Sequence, residues 1–290
     1  MDNTELQNMS SIKEHASDSP NRIPGTVTAP IVKVKNRMQT LERVAPKWIS
    51  PLGILIILVI WQWASGSGFI SQADLPSPLS ILQAGVQMAQ SGDLWSNVSA
   101  SLIRIGLGYL IGALSGVVFG LWLGFFRISE RIGIPVATAL YPIPKLAIIP
   151  LIILWIGIGE ASKILVIAAE VLFPVLFSTY TAVRNTDPML VKAAVSFGAK
   201  RMTLIAKVIL PAALPQIFSG LRIGAGLSLL VLVAAEMIGA QHGIGAMILS
   251  YSSLMETQNV LVGVVILSAL GLIITKGLAY LESKLLPWKQ

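Results

Sequence analysis

The sequence predicts an all-α membrane protein with six transmembrane helices, and three observations carry that prediction. Hydrophobic residues make up 54% of the 290-residue chain and charged residues only 12%, with a mean hydropathy of +0.76. So few charges cannot cover a water-soluble core of this size, whereas lipid needs no such cover. Six apolar stretches follow one another, near residues 49–64, 100–126, 132–156, 162–182, 212–238 and 259–281. A bilayer core takes about 20 such residues as a helix, in which every backbone polar group is paired within the segment. Lysine and arginine fall in blocks between alternate stretches, as topology signals do.

The basic blocks also set an orientation. With the N-terminus inside, Lys13 through Lys47, Arg127 and Arg131, Arg184 through Lys207, and Lys284 and Lys289 all face the cytoplasm. The two long outward connections, residues 65–98 and 239–258, then contain no Lys or Arg. A net charge of +7 with a pI near 9.7 therefore speaks for the positive-inside rule and not for nucleic acid, because the bases form no single face. Cysteine is absent, which excludes disulfides, thiolate catalysis and cysteine metal sites.

Residues 1–46 are rich in Ser, Asn, Asp, Pro and Lys without an apolar period and are expected to form a flexible cytoplasmic tail ahead of a membrane domain, residues 47–290. Trp48, Trp61 and Trp63 flank the first span as interface anchors. Residues 65–98 are expected to be a polar connection, with turn signals at Ser65-Gly66-Ser67-Gly68 and Pro76-Ser77-Pro78. The second span holds Gly108, Gly112, Gly116, Gly120 and Gly124, one every four residues, which would let another backbone approach along its length. Arg127 and Arg131 are expected in a short turn after it. The third apolar region is interrupted by Pro135, Pro142, Pro144 and Pro150, with Lys145 in the middle. Freed carbonyls at membrane depth are tolerable where they face protein or water, so this region is expected to line something. The fourth span carries Glu170 and Pro174, and the fifth carries Arg222 and Glu236.

Between the fourth and fifth spans lies a polar, basic insertion, residues 184–211, with its own helix punctuation. Asp187 can cap the first amides, and Pro188 suits a first turn, where its missing N–H would be unpaired anyway. A helix is predicted over residues 188–197, ended by Gly198 at positive φ, and a second over residues 200–208. Pro211 and Pro215 are expected to turn the chain before it enters the fifth span.

Lys192-Ala193-Ala194, three residues, Gly198, nine residues, then Val208, Ile209, Leu210 and Pro211 resembles the EAA loop of permeases in binding-protein-dependent ABC importers. Lys192 stands where that pattern has glutamate, and Val208 where it has isoleucine. The resemblance implies the type I importer permease fold, with Lys192, Ala193, Ala194, Gly198, Leu210 and Pro211 in cytoplasmic coupling helices that dock on a separate ABC ATPase. It also implies a second permease copy, most simply a homodimer, and a periplasmic or lipid-anchored substrate-binding protein, in a bacterial inner membrane with both termini cytoplasmic. The runs PIPKLAIIPLIILWIGIGE, residues 142–160, and GAQHGIGAMI, residues 239–248, are similar to the branch that carries nitrate, taurine and aliphatic sulfonates, with bicarbonate a further candidate.

The chain has no GxxxxGK[ST] loop, so ATP and magnesium are expected on the partner ATPase and no cofactor on this chain. His15 and His242 are the only histidines, no HExxH is present, and no Ser/His/Asp set is suggested, so no enzymatic site is expected. Ionisable residues inside spans cost about 3 kcal/mol each on insertion scales and usually face a bundle interior or water. Lys145, Arg104, Arg222 and Glu236 are therefore candidates for an anion pathway, with Lys145 foremost, and Glu170 shares their setting. Arg104 and Arg222 have a structural alternative, pairing with glutamates. A self-contained ion-coupled transporter is the competing reading, although such folds repeat their broken helix and only one half here holds the proline cluster.

Overall fold

The computed structural model describes residues 49–67, 71 and 74–289, and the elements it describes are helical. The expected tail 1–46 and the anchor Trp48 lie outside the described residues. Helix α1 spans Ile49–Gly66; its residues up to Ile54 fall in one unit of the chain, and the packing below is that of the second unit, Leu55–Gln290. Four segments are long and apolar enough to cross a bilayer: α3 (Asp93–Phe125), α6 (Glu160–Arg184), the 39-residue run ending in α9 (Leu210–Gly239), and α11 (Thr257–Leu285). A fifth is a bent pair, α4 (Arg127–Leu140) and α5 (Lys145–Ile156), meeting at 96°. Within α1, Leu52–Gly66 is a shorter apolar helix.

The bend falls at Tyr141–Pro144, where Pro142 and Pro144 remove backbone donors and push the residues before them out of the helical region. Pro135 and Pro150 are held inside α4 and α5.

Three expectations need correcting. The connection expected at residues 65–98 contains α2 (Pro78–Gln90) and the first turn of α3, and the one at 239–258 contains α10 (Ile244–Ser253). Ser77 Oγ caps α2 by accepting from Ser80 N at 3.2 Å, and Pro78 opens its first turn. Ile81, Ala84 and Met88 then share one face and bury against Ile244, Met247 and Val262. Second, Arg127 and Arg131 belong to α4 and not to a turn, because the helix restarts directly after extended Phe126. Third, neither Pro211 nor Pro215 turns the chain, and Pro215 is held inside α9 (Leu210–Gly239). The short α8 (Arg201–Leu204) passes through a π-helical turn, Ile205–Ile209, straight into α9, and Leu210 N donates to Ile205 O, five residues back. The wide turn absorbs the donor that Pro211 lacks, so the helix continues.

Helix α6 is the centre of the packing, with Ile167, Val171 and Val175 fully buried. The five glycines of α3 lie along it in constant register: a Cβ on Gly108 would meet Ile167, on Gly112 Ala168 and Val171, on Gly116 Leu172 and Val175, on Gly120 Leu176 and Thr179, and on Gly124 Val183, all within 3.0 Å. A glycine every four residues on α3 thus meets a β-branched residue every four on α6, so the two helices run parallel and nearly touch. From the other side, a Cβ on Gly220 of α9 would sit 2.4 Å from Ser178 Cβ. Van der Waals packing of this closeness is what joins helices where lipid supplies no hydrophobic drive.

Candidate functional site

The insertion between α6 and α9 folds as two short helices. Asp187 accepts from Met189 N at 2.8 Å at the start of α7 (Pro188–Ser196), with Pro188 in the first turn. At its end Ala199 N donates to Ala194 O and Gly198 N to Val195 O, the paired bonds of a Schellman cap, with Gly198 at φ +77°. The chain then reverses into α8 and the π turn. Lys192 and Ala193 are exposed, Ala194, Leu210 and Pro211 half-buried, and Lys192 forms no ion pair among the described residues. Phe197 is 91% exposed, and Met202 and Met189 are also bare. Beneath these tips a groove of about 460 Å³ is lined by Arg184, Lys192 and Arg201 together with Phe125, Leu204 and Ile209. Arg184 also reaches Glu130 in the first turn of α4 at 3.1 Å, and Tyr180 donates to the same carboxylate at 2.7 Å, so the base of the insertion is tied to the bent pair.

At the opposite end of α3, α6 and α9 lies a buried ionic cluster. Glu236, with no exposure, accepts from Arg104 Nη1 at 2.7 Å, from Ser101 Oγ at 2.7 and 2.9 Å, and from Gly245 N at 2.8 Å. Arg104 also makes a two-pronged contact with Glu160, at 2.5 and 2.7 Å, and donates to His242 O at 2.6 Å. Ser101 and Asn97 accept from the backbone of Ile244 and Gly243, each at 2.8 Å. A Cβ on Gly243, at φ +138°, would strike the Glu236 carboxyl at 2.4 Å, so only glycine lets this loop close over the cluster. Sequence reasoning named Arg104 and Glu236 but not Glu160, Ser101, Asn97 or Gly243; the tight HGIG turn before α10 was the available signal.

Lys163 lies buried beside this cluster, its ammonium donating to Gly159 O at 3.1 Å, and the other charged residues of the spans lie apart. Arg222 pairs with buried Glu282 of α11 at 3.0 Å. Lys145, half-buried, caps the bend by donating to Tyr141 O, and its ammonium lies 4.9 Å from the ring centroids of Tyr141 and Phe173. Arg104 and Arg222 thus have carboxylate partners, as their structural alternative required, while among the described residues Lys145 meets a carbonyl and two aromatic faces.

Known proteins give the arrangement a context. Residues 116–286 match the family described as binding-protein-dependent transport system inner membrane component. The putative aliphatic sulfonates transport permease protein of Bacillus subtilis is 38% identical over 81% of this chain and 85% of its own length. The taurine transport system permease protein of Escherichia coli is 35% identical over 83% of this chain and 93% of its own. In fold, the chain resembles the inward-facing methionine ABC transporter MetNI, with a TM-score of 0.52 at 18% identity, over 67% of this chain and 94% of that one.

Proposed function

Since this chain belongs to the binding-protein-dependent transport system inner membrane components, the membrane permeases of ABC importers, we propose that it forms the pathway by which a small organic anion, a taurine- or alkanesulfonate-like compound, enters the cell. Membership implies an ATPase and a substrate-binding protein as partners. Two copies of this chain, each with α1 as its sixth span, would enclose the pathway. ATP and magnesium would bind the ATPase.

The observation that carries the coupling role is the insertion itself, a capped two-helix knob that presents Phe197, Met202 and Met189 to solvent. An exposed apolar tip beside Lys192 and Arg201 suits docking into a cleft of another subunit. Displacing the knob would act on α6 directly and on α4 through Arg184 and Glu130, and so would shift the bend where Lys145 sits. The basic blocks of the sequence favour a cytoplasmic knob, with the Arg104–Glu236 cluster at the outer end. Lys145 supplies the positive charge an anion would meet inside the membrane.

The decisive experiment is reconstitution. The detergent-extracted chain is expected to retain an ATPase, and proteoliposomes holding both, with the binding protein, should take up sulfonate only with ATP. Uptake driven by a proton or sodium gradient without the ATPase would overturn this reading.

A further inference from the structure

Two ionisable side chains of opposite charge stand at mid-depth on one wall, neither of them in an ion pair among the described residues. Among the described residues Glu170 has no hydrogen bond or ion pair and is half-buried, whereas Glu236 and Glu282, buried carboxylates near the ends of α9 and α11, are each matched to an arginine. Lys145 likewise forms no ion pair. Glu170 is ten residues from the start of α6 and fourteen from its end, about 15 and 21 Å along the axis, and so lies near its middle. Phe173 and Phe177 share its helix face at a spacing of three and seven, and the ring of Tyr141 meets them at 6.1 and 5.5 Å, so that face looks onto the bend. The Lys145 ammonium lies over Phe173, about one helical turn from the level of Glu170.

An unpaired carboxylate at this depth is costly to insert, and so is an ammonium, yet among the described residues neither is in an ion pair. Each is matched at once by a ligand that carries both charges a short distance apart, with an apolar spacer for the phenyl ring between. We infer that Lys145 and Glu170 are the two poles of a translocation subsite for a short zwitterion. Lys145 meets a sulfonate or similar oxyanion, and Glu170 accepts hydrogen bonds from a protonated amine. The inference rests on the import reading above and narrows its substrate class from taurine- or alkanesulfonate-like compounds to those that carry an amine beside the oxyanion.

The test is ATP-driven uptake in proteoliposomes containing the permease, its ATPase and its binding protein, with two probes, taurine and ethanesulfonate, which lacks the amine. Glu170→Gln is expected to lower taurine uptake by roughly tenfold or more, the size of one charge-assisted contact, and to leave ethanesulfonate uptake within about twofold. Glu170→Asp, which keeps the charge, should retain most taurine uptake, and both variants should still retain the ATPase on purification. A wild type that imports taurine alone supports the inference if Glu170→Gln loses that uptake and Glu170→Asp keeps it. Equal losses for both probes, no loss for either, or a wild type that imports ethanesulfonate but not taurine would overturn the subsite. A wild type that imports neither overturns the import reading and the subsite with it.

Discussion

The buried cluster that joins α3, α6, α9 and the Gly243 turn allows a graded prediction. Replacing Arg104 with methionine removes three charged contacts of unequal consequence. Glu160 keeps 60% of its side chain in solvent and can rehydrate, so its loss is a surface matter of at most about 1 kcal/mol. Glu236 has no exposure and cannot rehydrate; Ser101 and Gly245 N remain as dipoles, and buried Lys163 is near but not in an ion pair with it. Leaving such a carboxylate without its ion pair costs up to about 3–5 kcal/mol, which sets the upper end expected for Arg104→Met. Glu236→Gln should cost less, about 1–3 kcal/mol, because the amide keeps the shape and Glu160 still neutralises Arg104. Glu160→Gln should cost least. The double variant Arg104→Met/Glu236→Met should recover much of the single loss, because the buried carboxylate is removed together with its partner. Melting midpoints of the purified protein in nanodiscs measure this, with a drop on the order of 10 °C expected for Arg104→Met. A Glu160→Gln drop as large as that of Arg104→Met would refute the reasoning, and so would a double variant worse than either single.

Other predictions follow from single contacts. Thr179 packs its Cβ and Cγ2 against Gly120 while its buried Oγ1 has no hydrogen-bond partner among the described residues, so Thr179→Val should hold or raise the melting midpoint, by about 1 kcal/mol at most, and a clear loss would reveal a partner for that hydroxyl. Gly112→Val places a side chain 2.5 Å from the Ala168 carbonyl oxygen, and it should reduce the yield of folded protein in the membrane more than Gly106→Val, which meets nothing within 4 Å. Gly198→Val forces a β-branched residue to φ +77°, a strain of about 1–2 kcal/mol at the knob, and ATP hydrolysis in the reconstituted complex should continue with transport lost. Lys145→Ala should impair sulfonate uptake while the ATPase still co-purifies, and unchanged uptake at normal expression would remove Lys145 from the pathway.

What was legible in the sequence is what local chemistry decides. The α7 cap, the Gly198 turn and the broken third span each follow from a few adjacent residues, and each appears where the sequence placed it. The five-glycine repeat predicted a close neighbour but not which one, since the matching β-branched repeat on α6 is ordinary in any apolar helix. Arg104 and Glu236 stood out as charges in spans, yet their pairing joins positions 132 residues apart and needs the fold. The short helices α2 and α10 were hidden because polar windows between spans look like connections, although Ser77-Pro78 is a start signal and Ile81, Ala84 and Met88 a helical face. Pro211 misled because a proline reads as a break unless a wide turn precedes it, and that turn has no sequence signature here.

The packing of α6 decides how a push on the insertion could travel. Glycines from α3 and α9 hold it at distances where a single added carbon would collide, so on either side of Pro174 it moves as a rod with its neighbours. At one end the rod is fixed through Glu160 to Arg104 and the Gly243 turn, and at the other it carries Arg184 and the insertion. Between them Phe173 and Phe177 touch the bend, where the helix is broken outright, whereas Pro174 interrupts the ladder of α6 without ending it. A displacement of the insertion is therefore expressed at the Tyr141–Lys145 corner before it can open the ionic cluster. In a reconstituted complex, a spin-label pair between α4 and α6 near that corner should change distance on ATP binding, while a pair spanning Ser101 and Glu236's neighbours should not.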